Sequence, residues 1–207
     1  MKKVKNLSAI LIIAAIMIIA AKPSFAQAET HDGFFLRFQT GIGYGHMTEK
    51  DVMGSDLEIY GASYDFYFQL GGALVNNFIL HLNLGGSVLM EPEVKWGSET
   101  ATATDAELTV YNYGAGISYY IMPGNMYISI NGSAMRSKAE GEYGSGYTDW
   151  GFGITGVIGK EWWVSENWGL GIAFIAYYGR TKAEEPDMRK YDIDMLNFSI
   201  AFSATFN

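Results

Sequence analysis

Four ionisable side chains stand out because each falls among small or polar neighbours on one face of an alternating segment: Arg37, Asp65, His81 and Glu161. Charged groups turned toward an interior must be paired or solvated. The four therefore predict a luminal polar network, with Arg37 and Glu161 near the same end and placed to pair across it. The remaining chemistry is limited. There is no cysteine, which removes disulfides and thiolate metal sites, and there are three histidines, His31, His46 and His81. Acyl transfer or hydrolysis needs a nucleophile with a base in reach. The chain offers His81 with Ser87 and Asp65, and His46 with Ser55 and Asp56. Neither set has the spacing of a lipid A deacylase or palmitoyl-transferase motif. No catalytic residue, cofactor or metal ligand is expected. The clusters Glu49-Lys50-Asp51, Glu91-Pro92-Glu93 and Lys182–Asp187 match no defined calcium loop and read as solvated surface.

The elements that position these groups announce themselves by a period of two. In the last segment, Leu196, Phe198, Ile200, Phe202, Ala204 and Phe206 alternate with Met195, Asn197, Ser199, Ala201, Ser203 and Thr205. One face is oily and the other small or polar. The same alternation marks strands at about Phe34–His46, Ile59–Leu74, Phe78–Met90, Glu107–Ile121, Met126–Arg136, Asp149–Trp162 and Trp168–Arg180. Strands of about ten such residues suit a bilayer outside and a wetter lumen inside. The count of eight predicts an all-β, eight-stranded antiparallel up-and-down transmembrane β-barrel.

Connections alternate in length. Long polar loops are expected at Met47–Glu58, Glu91–Ala106, Ser137–Thr148 and Thr181–Lys190, and tight turns at Asn76-Asn77, Met122–Asn125 and Val164–Asn167. Short periplasmic turns and long extracellular loops would put both termini in the periplasm. Aromatic residues should collect at the two membrane interfaces. Trp162, Trp163, Trp168 and Phe206 map to the turn end, and Tyr44, Tyr60, Tyr111, Trp150 and Tyr178 to the loop end. A soluble lipocalin-like barrel also alternates, but nothing in it calls for two outward girdles. Eight strands enclose a space that side chains can fill. Tyr67, Tyr120, Tyr127 and Tyr177 are expected to occupy room left by luminal glycines.

Residues 1–26 read as a cleaved secretory signal peptide. Lys2, Lys3 and Lys5 precede an apolar run from Leu7 to Ala21, followed by Ser24-Phe25-Ala26, with a second small-x-small site ending at Ala28. Residues 27–207 form the barrel domain. The leader carries four of the 14 Lys+Arg and none of the 22 Asp+Glu, so ten bases face 22 acids and the exported chain stands at −12. That balance argues against nucleic acid and against docking on anionic head groups through a basic surface.

The eight-fold alternation, the turn GKEWWVSENWGLGIA and the aromatic C-terminal strand resemble the small outer-membrane β-barrels of Gram-negative bacteria, the superfamily of OmpA transmembrane domains and OmpX-like proteins. The resemblance implies residence in the cell outer membrane and contact with outer-membrane lipids and lipopolysaccharide. It also implies recognition of the C-terminal strand by the barrel-assembly machinery, and a monomer. The family's assembly signal usually ends in Phe, whereas here Phe206 is followed by Asn207. The superfamily includes adhesins, resistance factors, anchors and a few lipid A enzymes. The expectation is a structural or surface-interaction protein with a filled lumen and four acidic extracellular loops. The alternatives are a narrow solute channel gated by the Arg37–Glu161 pair, or a lipid A-modifying enzyme.

Overall fold

The computed structural model describes residues 30–52, 54–142, 144–184 and 190–207. The leader and residues 185–189 of the fourth connection lie outside the described residues. Eleven strands occur in chain order: β1 (Phe34–Val52), β2 (Ser55–Val75), β3 (Phe78–Met90), β4 (Glu93–Trp96), β5 (Glu99–Thr102), β6 (Glu107–Ile121), β7 (Met126–Gly141), β8 (Gly144–Tyr147), β9 (Gly151–Trp163), β10 (Trp168–Glu184) and β11 (Lys190–Phe206). Eight of them close a ring in the order β1-β11-β10-β9-β7-β6-β3-β2, with β2 returning to β1. Closure leaves no unpaired edge inside the bilayer, which an apolar solvent requires.

Parity along each strand follows the alternation in the sequence. Ile42, Leu82, Ile130, Ile158, Phe174 and Ile200 point outward and are exposed, whereas Gln39, Asn83, Asn131, Thr155 and Ser199 are buried in the lumen. From Phe34 to Tyr44 the outward belt spans ten residue steps, roughly 25 Å of height once strand tilt is allowed for. Trp162, Trp168 and Phe206 mark the turn end of that belt, where the Trp168 and Phe206 rings meet edge-on at 5.3 Å. Lys160 also faces outward there. Its ammonium turns to the carbonyl of Gly124 at 2.6 Å and sits over the Trp162 ring, which takes its charge out of the apolar zone.

The connections at the other end are not the open loops expected from their polarity. β1 and β2 stay paired beyond the belt, through Thr48↔Glu58 and Glu49↔Leu57 to Val52↔Ser55. The second connection contains the β4–β5 hairpin, the third extends β7 and adds β8, and the fourth extends β10 and β11 through Lys182↔Asp192 and Ala183↔Tyr191. The physical reason is an inversion of polarity. Outside the bilayer the outward face meets water and becomes charged, while the inward face turns oily. Met47, Leu89, Leu108, Val110, Met135, Ile193 and Met195 form an apolar cluster with Tyr177 inside this extension. A second cluster fills the turn end around Phe35, Tyr67, Ile79, Tyr120, Tyr127 and Val157.

Candidate functional site

The lumen is organised around Arg37, which is fully buried. β1 aims it inward between Phe35 and Gln39. Its guanidinium donates to Tyr120 Oη at 2.6 Å, Ser129 Oγ at 3.1 Å, Gln69 Oε1 at 3.2 Å and Thr205 Oγ1 at 3.3 Å, and stacks 3.9 Å from the Tyr127 ring centroid. Glu161 on β9 lies 3.7 Å from Arg37 Nε. It accepts from Thr205 at 2.6 Å, Ser203 at 2.8 Å and Tyr120 at 3.1 Å. Tyr120 thus accepts from the base and donates to the acid. A buried ion pair persists when its remaining donors and acceptors are satisfied, and four strands, β2, β6, β7 and β11, supply those partners here.

Glycine makes this packing possible at chosen points. A methyl at Gly159 would run into the Tyr127 ring, and one at Gly153 would sit 2.8 Å from the ring of Tyr177. The tyrosines that plug the lumen therefore depend on bare backbone on the facing strands.

The other two luminal groups separate. His81 Nε2 lies 2.9 Å from Ser118 Oγ, at the edge of the Arg37 network. Asp65 belongs to a second network nearer the long hairpins, where Asn197 Nδ2 reaches its two carboxylate oxygens at 2.9 and 2.8 Å and Ser87 Oγ at 2.9 Å. His81, Ser87 and Asp65 therefore do not assemble into one set. His46 faces outward on β1, 3.4 Å from Glu58, and no serine joins that pair among the described hydrogen bonds.

Among the interface aromatics, Tyr44 and Trp150 are exposed at the hairpin end, with Tyr60, Tyr111 and Tyr178 partly covered beside them. Trp163 is placed differently from the expectation. It shares inward parity with Glu161, and its ring lies 5.0 Å from His31, so it covers the mouth of the lumen instead of meeting lipid.

His31 is the residue that sequence reasoning passed over. Residues 31–33 cross the turn end of the barrel, held by Ala73 N to Gly33 O at 2.9 Å and Asn77 N to His31 O at 2.7 Å. The imidazole stacks on Tyr120 at 3.4 Å and its Nε2 meets Asn125 Oδ1 at 2.8 Å. It is fully buried. Burial pushes its pKa below the ordinary value, against the opposing hydrogen bonds of Asn125 and Asn207 and the charge of Glu161. Lying before the first strand, it carries no periodic signal.

A closed ring with a lipid-facing belt, two aromatic rims and a packed polar lumen defines a transmembrane β-barrel. No protein-family model matches the chain, and no curated protein matches it. Solved structures do. The outer membrane protein OprG from Pseudomonas aeruginosa is 10% identical, with 87% of this chain and 100% of that one covered and a TM-score of 0.55. Neisserial surface protein A is 12% identical over 84% and 96%, with a TM-score of 0.49. The outer membrane protease OmpT from Escherichia coli is 10% identical over 88% and 99%, at 0.47. The likeness to OprG shows the fold: this is a β-barrel of the outer-membrane type, as the OmpA- and OmpX-like resemblance implied.

Proposed function

We propose that the protein is an outer-membrane barrel with a sealed lumen that acts through its cell-surface hairpins, as a structural or surface-interaction protein of the adhesion or resistance type. The tight turns and both termini face the periplasm in this reading. One observation carries it: side chains pack across the lumen at two levels. The Arg37–Glu161 network under His31 spans one end, and the apolar Met47–Leu89–Met195 cluster spans the other. A solute path would have to open both. The polar surface left for partners is the strand extension and the β4–β5 hairpin, whose Trp96 tip is exposed. Catalysis is not part of the proposal, because His81 bonds Ser118 while Asp65 and Ser87 share Asn197. Deleting residues 93–102 should abolish surface adhesion or serum survival and leave the barrel folded; unchanged phenotypes would remove the interaction reading.

A narrow channel gated by Arg37 and Glu161 is the second reading. It is favoured by buried luminal groups with no hydrogen-bond partner among the described residues, Asn83 Nδ2, Asn131 Nδ2 and Thr155 Oγ1, which are sites suited to ordered water. Planar-bilayer recordings separate the two. The sealed lumen gives no unitary currents with wild type or with Arg37→Ala, whereas a gate would open in the variant.

A further inference from the structure

The acidic total conceals one outward basic site. Seven described bases face outward on the rim above the aromatic girdle, and six are matched by carboxylates: Lys50 and Arg180 with Asp194, Lys95 with Glu58, Lys138 with Glu140, Lys182 with Asp192 and Lys190 with Asp149. Arg136 on β7 is the exception among the described residues. Its Nε donates to the Thr148 carbonyl at 2.9 Å. Its guanidinium carbon lies 4.4 Å from the Tyr147 ring centroid and 5.8 Å from that of Trp150. The backbone bond and the two rings fix the plane of the guanidinium, while its terminal nitrogens carry no hydrogen bond to a described residue. Lys138 stands directly across from Tyr147, 5.6 Å from the same ring.

We propose that Arg136, with Tyr147, Trp150 and Lys138, forms a binding site for a phosphate group of a phosphorylated glycolipid in the surrounding leaflet. The level is right for a head group, because Trp150 packs 6.1 Å from Tyr113 at the girdle and Arg136 lies two residues beyond Ala134 toward water. The chemistry is right as well. A planar fork with two open donors matches phosphate oxygens, and aromatic stacking pre-organises it. The exposed Lys138–Glu140 pair exchanges its partner easily, so a phosphate dianion can recruit Lys138 too. The net charge of −12 argues against a broad basic docking surface, but it does not describe the surroundings of one arginine held between a backbone carbonyl and two rings.

The proposal rests on the long hairpins facing the cell exterior, and the test separates the two claims. Full-length protein is reconstituted with bis-phosphorylated lipid A or with the same lipid A stripped of phosphate, and bound lipid is counted by native mass spectrometry. Wild type should retain the phosphorylated lipid roughly tenfold better than the stripped one, with Arg136→Ala erasing the difference and Arg136→Lys keeping part of it. Lys95→Ala, on another face of the rim, should behave as wild type. Equal retention by wild type and Arg136→Ala overturns the site. Displacement of the lipid by millimolar inorganic phosphate alone would make it a general anion site and overturn the lipid assignment. The chain lacks cysteine, so Glu99→Cys reports orientation by labelling intact cells. Failure to label would sink the orientation while leaving the phosphate preference measured in vitro.

Discussion

Replacing Arg37 with Met should be among the most destabilising single changes in the barrel. The substitution removes the base that lies 3.7 Å from Glu161 and leaves that carboxylate fully buried with three neutral donors. It also strips hydrogen bonds from Gln69, Tyr120 and Ser129. A stranded buried charge costs about 3–5 kcal/mol. Glu161→Gln is milder, because the amide oxygen still accepts from Ser203 and Thr205 and Arg37 keeps its stack on Tyr127; about 1–3 kcal/mol is expected. Once Glu161 is neutral, removal of Arg37 no longer strands a charge. The double variant should therefore fall short of additivity by about 1–3 kcal/mol. Urea unfolding in phospholipid vesicles, followed by tryptophan fluorescence and by the mobility of unheated protein on gels, gives all four free energies. Additivity within about 0.5 kcal/mol, or an Arg37→Met variant as stable as wild type, would refute the view that this buried pair stabilises the barrel as a coupled network.

Ile200 faces outward at mid-belt, so Ile200→Lys should lose about 2–4 kcal/mol in the same assay while Asp192→Lys, beyond the belt, changes little. Gly159→Val drives a branched side chain into the Tyr127 ring; the barrel should become markedly less stable, and Gly159→Val combined with Tyr127→Ala should recover part of the loss. Burial lowers the pKa of His31 in the fold, so an unseated segment takes up the proton first, below about pH 6.5. Seating of residues 31–33 should therefore be independent of pH above that value and weaken as pH falls through it. Amide exchange at Asn77 and Ala73, whose N–H groups bond this segment, reports the opening, and His31→Asn should flatten the dependence.

The membrane-embedded half of the molecule was legible because a bilayer imposes a strict rule. Phe198 must face out and Ser199 in, and eight repetitions of that rule leave little freedom in the closed ring. The same rule misleads at the rim. At Tyr178 the outward face passes to Arg180 and Lys182, which looks like the end of a strand only while oil is expected outside. The inward Ile193 and Met195, Leu108 and Val110, and Met47 were the signal that pairing continues, since an oily inner face with a charged outer face is ordinary β structure in water. Trp162 and Trp163 are indistinguishable as residue types. Counting parity from the luminal Glu161 assigns the second of them to the interior. The placement of His31 depends on Asn77 and Asn125, distant in sequence and brought together only by the closed turns.

That inversion of polarity also decides where a surface partner can be sought. Residues 47–58 look like a dispensable loop, yet Met47 sits in the upper apolar cluster and Ile59 packs against it. Removing the segment would open the lumen as well as trim the surface, and a lost phenotype would carry no information about binding. Residues 93–102 contribute nothing to that cluster. Their hairpin hangs from the β2 extension through the four pairs from Leu57↔Trp96 to Tyr60↔Glu93, so its deletion changes the presented surface while both luminal clusters stay in place. A phenotype lost with that hairpin, in a barrel that still migrates as folded, therefore belongs to recognition at the cell surface.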